Sequence, residues 1–306
     1  MMPRELFRRV RPLAFLVCGL GIGWTLGEGV AWGQASGPSG SPAIRVAERT
    51  SPAPNAARAV LSNVQPNEHP LMPALRWART GLSDLEKIQD YSATVVKRER
   101  IDGKLRDPET VFVKIRHKPF SVYMYFLHPD SLKGQQAIYV QGANANKLMG
   151  HGNGVRKVFG WVPLDPTGPI AMLGNRYPIT ELGVLNLVRR LIEVGEKDLQ
   201  YGECEVKFYP GAKINGRVVT CVAIVHPIPR RNFLYHMARV FVDDELNVPV
   251  RFEAYEWPEK PGGPPELIEE YTYLNLKLNN GFTDADFDIH NPNYGSKSAN
   301  SKSAKK

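Results

Sequence analysis

The stretch from Val111 to Pro129 reads VFVKIRHKPFSVYMYFLHP, and its second half, FSVYMYFL, constrains the fold more than any other part of the chain. Side chains alternate between the two faces of a strand, so a strand with one wet face alternates apolar and polar residues. Here Phe120, Val122, Met124 and Phe126 point one way, while Tyr123, Tyr125 and Leu127 point the other. Both faces therefore need a cover. One row can lie on a helix stripe; the tyrosine row is expected to lean toward the rim, or toward a cavity that a curved sheet leaves open.

The neighbouring segments supply the sheet. Strand patterns run over Ser92 to Ile101, Thr110 to Arg116, Phe120 to Leu127 and Gln136 to Gln141, with a shorter piece around Lys147 to His151. The turn signals between them (Asp102-Gly103, HKP, QGANAN, HGNG) are closely spaced, which predicts an antiparallel meander. Strands resume with a hairpin around Cys204, then Phe233 to Val242, Val250 to Trp257 and Leu267 to Leu278. Two helices are expected. The first carries Leu71, Leu75, Ala78, Leu82, Leu85 and Ile88 on one side, and Pro73 is tolerated near its start. The second follows Thr180 as N-cap, with Leu182, Leu185, Val188, Leu191 and Ile192 on one face. Long antiparallel strands with only two good helices predict an α+β, mainly β chain, one curved sheet wrapped round the helices. The segment LDPTGPIAMLGNRYP loses periodicity, and a connection of that length tends to be a lid or a binding segment.

At the N-terminus, Arg4, Arg8, Arg9 and Arg11 precede an apolar run from Leu13 to Leu26 and a small-residue site at Gly33-Gln34-Ala35. This predicts an export signal, residues 1–35, cleaved after Ala35. The run is shorter than the roughly 17 to 25 residues a spanning helix needs; an uncleaved anchor reaching Trp32 is the alternative. A lipidation site at Cys18 is disfavoured by Val17. Residues 36–69, rich in Ser, Pro and Ala, read as a disordered tether, 70–292 as one folded domain, and 293–306 as a disordered basic tail. The formal net charge of +8 falls to +6 without residues 1–35. Its basic residues are spread along strands and in the tail, not gathered in the stripe a nucleic-acid groove wants.

Chemistry-bearing motifs are few. Counting outward from a loop at Gly211 to Ile214 places Cys204 opposite Cys221, and export makes a disulfide plausible there, worth about 3 kcal/mol at most; two buried free thiols are the alternative. No His or third Cys lies at metal-ligand spacing beside them. Asp284, Asp286 and Asp288 have calcium-loop spacing, but Ile289 and Gly295 stand where that loop needs Gly and Glu, so a strand with Phe282 and Phe287 buried is expected. The glycines of GHGNG read as a turn. The seven His are scattered, and no nucleophile elbow or HExxH is present. Glu253 and Glu256 admit a glycosidase-like carboxylate pair, or the outer row of a strand. No cofactor motif is found.

The helix leading into DYSATVVKRERIDGK, then VFVKIRHKPFSVYMYFLHP and GQQAIYVQGANANKLMGH, followed later by DDELNVPVRFEAYEWP and YTYLNLKLNNGFTDADFD, resembles the lipoprotein-carrier and envelope-stress-sensor (LolA-LolB-RseB-like) superfamily. More closely, Leu71 to Tyr294 resembles domain-of-unknown-function family 1571, exported bacterial proteins. The resemblance implies an incomplete β-barrel of about ten strands, with helices on its concave side and a hollow that in the carriers accepts acyl chains.

The expectation for function is a non-catalytic protein of the periplasm or cell envelope, with no transmembrane span once the signal is cut, binding a lipid or lipid-linked group. Phe112, Val122, Met124, Phe126, Phe233, Tyr235, Met237 and Phe241 are the candidate lining, since aromatics and Met adapt to irregular chains. The same residues could instead form a packed core. A protein-interaction module for an envelope partner, using Leu164 to Pro178, is the second expectation; an uncharacterised hydrolase is the third.

Overall fold

A computed structural model describes residues 64–260 and 262–295, together with Val60. The export signal, the tether apart from Val60 and residues 64–69, and the tail beyond Gly295 lie outside the described residues. Twelve strands form one curved antiparallel sheet that does not close. In chain order they are β1 (Asp90–Ile101), β2 (Lys104–Leu105), β3 (Glu109–Arg116), β4 (Ser121–His128), β5 (Gln136–Val140), β6 (Leu148–His151), β7 (Trp161–Leu164), β8 (Glu205–Ile214), β9 (Arg217–Val225), β10 (Met237–Asp243), β11 (Pro249–Glu256) and β12 (Glu266–Leu278). The spatial order is β7-β6-β5-β4-β3-β1-β12-β11-β10-β9-β8, with β2 paired to β1. Each half is a meander, as the turn spacing predicts, and β1 joins the halves by pairing with both β3 and β12. The sheet exceeds the expected ten strands by the two-residue β2 and by β7, a short strand in the long central excursion.

The two edge strands carry prolines inside them, Pro163 in β7 and Pro210 in β8. Proline has no N–H to offer a ladder, so it fits at an edge and discourages a further strand from adding there. Beside Pro210 the register slips between Tyr209 and Ala212. The β8–β9 turn is Asn215-Gly216, both in the left-handed region (φ 49° and 80°), as a two-residue hairpin demands. The sequence reading placed this turn at Gly211 to Ile214, and the shift moves every pair. Cys221 faces Tyr209, and Cys204 lies beyond the start of the ladder. Both thiols are free and buried, Cys204 beside Leu71 and Leu75, Cys221 beside Phe241 and Val250.

The inner face of the sheet is covered by α1 (Met72–Leu85) and α2 (Val184–Asp198). Leu85 of α1 and Val184, Leu185, Val188 and Ile192 of α2 pack on Tyr91, Ala93 and Val95 of β1, Val111, Val113 and Ile115 of β3, and Val122 and Met124 of β4. Farther along, Trp77 and Val194 meet Val222, Val240, Val242 and Phe252. The N-cap of α2 is Gly183, not Thr180, which lies within a separate 3-10 turn at Ile179–Glu181. The Val184 N–H donates to the Tyr91 hydroxyl at 3.0 Å, and a Cβ at Gly183 (φ 108°) would stand 2.8 Å from that oxygen. Glycine is required there by both conformation and space.

The other face of β4 has a cover that the sequence reading did not identify. Tyr123, Ile138 and Met149 pack with Phe287, flanked by Phe112, Tyr125, Phe282, Ile289 and Tyr294. The second greasy row is therefore closed by the segment 280–295, a strap formed by the chain's own C-terminal region. Tyr294, assigned to the tail on composition, stacks on Tyr123 with ring centres 4.0 Å apart and planes at 10°. The TDADFD motif is a 3-10 turn (Asp284–Phe287) with a reciprocal Thr283–Asp286 cap, not a strand, although Phe287 is buried as expected.

Polar contacts fix the strap in place. The buried Asp90 carboxylate accepts the backbone N–H groups of Asn280, Gly281 and Phe282 at 2.5, 3.1 and 3.0 Å. Lys114 reaches Asp286 at 2.7 Å and lies over the rings of Phe282 and Tyr294. Burial acts to raise the Asp286 carboxyl, but Lys114 and the Thr283 N–H outweigh it and hold the group below its ordinary 3.8.

Two outcomes follow from these contacts. Asp90→Ala leaves three inward N–H groups without an acceptor and should cost about 3 kcal/mol, read as a lower urea midpoint at unchanged slope. The stabilising contribution of Asp286 is present above pH 3.8 and is lost as pH falls through its depressed folded value. Hydrogen exchange, corrected for intrinsic rates, should therefore show the amides of 282–295 loosening as pH is lowered below 3.8 while those of β1 stay protected; equal protection of both would contradict this.

Candidate functional site

A cavity of about 90 Å³ lies between the helices and the β9–β10 side of the sheet. Its wall is shared between α1, with Leu71 before it and Ala74 to Leu85 within it, Val188, Leu191 and Gly195 of α2, and a sheet side that includes Val222, Val240 and Val242. The space exists because small residues sit where the helices face each other. Ala74, Ala78 and Gly81 line α1, and a Cβ on Gly195 would come within 2.9 Å of Leu75. A cavity of about 150 Å³ holds benzene, so this one takes a group of roughly three or four carbons as it stands.

The predicted lining divides between the two faces. Val122, Met124 and the half-buried Phe126 belong to the inner core, and Tyr235 alone of the eight lines the cavity. Phe112 packs under the strap and Phe241 in an outer cluster with Cys221 and Val250. Met237 shares the outer row of β10 with Phe241, two residues apart from Arg239. Phe233 stands in the turn before β10, stacked on His226 with ring centres 4.0 Å apart. The period-two rule separates these residues once the register is known: Val111 and Val113 face in, so Phe112 faces out.

Two polar wall residues were missed. Asp198 ends α2, and Asn247 follows β10, its Oδ1 accepting the Trp77 indole N–H at 3.0 Å. Asp198 had a signal in the sequence: it extends the apolar stripe Val188, Leu191, Gly195 by one more step of three, an acid on a greasy face.

The inner face changes character toward the far ends of β1 and β12. Glu99 sits directly across from Glu269 in the ladder, both buried. The Tyr271 hydroxyl lies 2.5 Å from Glu99 and 3.2 Å from Glu269, and the Tyr177 hydroxyl donates to Glu269 at 3.0 Å. Arg176 pairs with Glu269 at 3.2 Å, and Lys97 with Glu109 at 3.2 Å and Asn175 at 2.6 Å. Burial pushes the Glu269 carboxyl up, and burial with the charge of Glu269 pushes the Tyr177 phenol up to about 12. Like charges opposite each other are unfavourable, so this network is held by the cations and phenols that the segment 175–177 brings down on it. It closes that end to apolar guests.

Catalytic readings fare poorly. Glu253 is sunk beneath Arg251 (2.6 Å) and Arg239 (3.5 Å), whereas Glu256 is exposed and accepts the Trp257 N–H, so the two do not share a site. Burial, then the charge of Asp198, pushes the Cys204 thiol up to about 11; burial pushes Cys221 up to about 12. Reactive cysteines are shifted the other way.

Residues 88–296 match the family described as "Protein of unknown function (DUF1571)", which takes in β1 through the strap and leaves α1 outside. None of the curated proteins matches. Among solved structures, the Mycobacterium tuberculosis lipoprotein LppX is 17% identical at a TM-score of 0.40, over 71% of this chain and 100% of that one. A putative outer membrane lipoprotein-sorting protein domain from Vibrio parahaemolyticus is 12% identical at 0.34 (70% and 95%), and a LolA superfamily protein from Nitrosomonas europaea 13% at 0.32 (69% and 97%). These are partial likenesses of chain trace. The chain belongs to the DUF1571 family.

Proposed function

We propose that this is an exported, non-catalytic envelope protein that binds a hydrophobic or amphipathic molecule, a lipid or lipid-linked group, between the sheet and its helices. The observation that carries the reading is the apolar cavity between α1, α2 and β9–β10. Each methylene buried there contributes about 0.8 kcal/mol. A long acyl chain exceeds the present volume, so one wall must yield, and α1, which lines more of the cavity than α2 does, is that element. Among the described residues its polar ties across the hollow include Trp77 to Asn247, Asn247 to Asp84, and the exposed Arg79–Glu196 and Arg189–Glu86 pairs, each at 2.8 Å, so those at the surface can exchange with water as the helix moves. Export rests on the N-terminal signal read from the sequence.

A second reading is supported by a different observation. Val155, Val158, Phe159, Ile170 and Leu173 are large apolar residues more than 70% exposed, with Arg156 and Lys157 beside the first three. Exposed apolar residues in such numbers mark interaction surfaces, which suits an envelope partner docking on the central excursion. Replacing Val155, Val158, Phe159, Ile170 and Leu173 by serine would then abolish partner capture from envelope extracts and leave any bound lipid in place.

The test of the main proposal is solvent extraction of protein purified from the envelope, followed by mass spectrometry. A co-purifying amphiphile is expected, and Ala74→Leu, which fills the cavity, should lower its yield at least about ten-fold while leaving stability equal or higher by up to about 2 kcal/mol. An extract without any amphiphile, or one as rich from the Ala74→Leu protein, contradicts the proposal.

A further inference from the structure

One of the two polar residues in the cavity wall is an acid. Asp198 is buried, with its side chain 5% exposed, in the last turn of α2. An acidic side chain suits neither position, because the C-terminal end of a helix favours cations and an apolar wall favours none. Its near neighbour is His226, fully buried, with Nε2 3.3 Å from Asp198 Oδ2.

The histidine is oriented from its other side. Nδ1 lies 3.1 Å from the Tyr235 carbonyl, and the ring stacks on Phe233. A carbonyl only accepts, so Nδ1 carries a proton. In the neutral ring Nε2 is then a lone pair facing a carboxylate, two acceptors with nothing between them, and Nε2 makes no hydrogen bond in this structure. A single proton between Nε2 and Oδ2 resolves the clash, and Asp198 keeps acceptor capacity on the cavity side, where no donor among the described residues is seated on it.

We infer that Asp198, positioned by His226, is the polar end of the ligand site, and that the ligand is an amphiphile whose head donates hydrogen bonds, an alcohol or an amine, and not one with an anionic head. This rests on the reading of the cavity as a ligand site. An alcohol or ammonium meets Asp198 as a donor, whereas a carboxylate or phosphate places charge against charge inside an apolar wall. Cys204, whose thiol Asp198 also influences, is protonated and adds no competing charge. Tyr235 presents its carbonyl to His226 and its side chain to the cavity, so one residue ties the polar end to the apolar wall.

The experiment compares 1-octanol, n-octylamine and octanoate, three probes of equal chain length, in titrations followed by the Trp77 indole N–H resonance at about pH 7. The alcohol and the amine should bind at least about ten-fold tighter than octanoate, and Asp198→Asn should bring octanoate within about three-fold of the alcohol. The wild-type ranking decides the matter even where the variant fails to fold. Equal binding of all three probes, or tighter binding of octanoate, overturns the assignment of Asp198 while the cavity stands as a ligand site. Failure of all three to shift the resonance overturns both.

Discussion

The fold hangs on two adjacent residues at the start of β1. Asp90 points outward and takes three backbone N–H groups of the C-terminal strap; Tyr91 points inward and takes the first N–H of α2 on its hydroxyl. Because neighbouring side chains on a strand face opposite ways, one dipeptide anchors both covers of the sheet. Both groups are almost wholly buried, Asp90 at 2% and Tyr91 at 0% exposure, so each hydrogen bond is made away from water, where leaving it unmade is costly. The strand that carries them is also the one that pairs the two meanders.

The two covers are not equivalent. The strap is fastened by backbone hydrogen bonds, the Lys114–Asp286 pair and stacked aromatic rings, a set of directional contacts that hold one arrangement. On the inner face, the α2 end nearest Tyr91 is fixed in the same way, while α1 rests mainly on apolar contacts with small residues between the helices. Apolar packing is non-directional, so α1 can move outward without stranding many polar groups. The charged network of Glu99, Glu269 and Tyr271 blocks the opposite end of the inner face, which confines any apolar guest to the β9–β10 half under α1.

Much of this was legible in the sequence. The meanders, the Asp102-Gly103 turn, both helices and the need for a second cover on FSVYMYFL all follow from periodicity and turn chemistry. The identity of that cover did not, because Phe282, Phe287 and Tyr294 are spread among Asp, Asn and Gly and show no period; their role comes from long-range hydrogen bonds to Asp90. Asn215-Gly216 carries the stronger hairpin signal, and a turn there in place of Gly211 to Ile214 displaces the cysteines from one another. Size alone does not assign a row, and Phe112, Met237 and Phe241 lie on the outer face. Small residues such as Ala74 and Gly195, which make the hollow, look unremarkable along a helix until a second helix is laid against them.

The central claim is that α1 is the moving wall of a hollow that the fixed strap and α2 leave incompletely filled. Spin labels at Arg79 on α1 and Val218 on β9, both exposed, report it through their separation. The account predicts that the distance lengthens when 1-octanol is added. An unchanged distance, with the Trp77 indole resonance showing the alcohol bound, would contradict it.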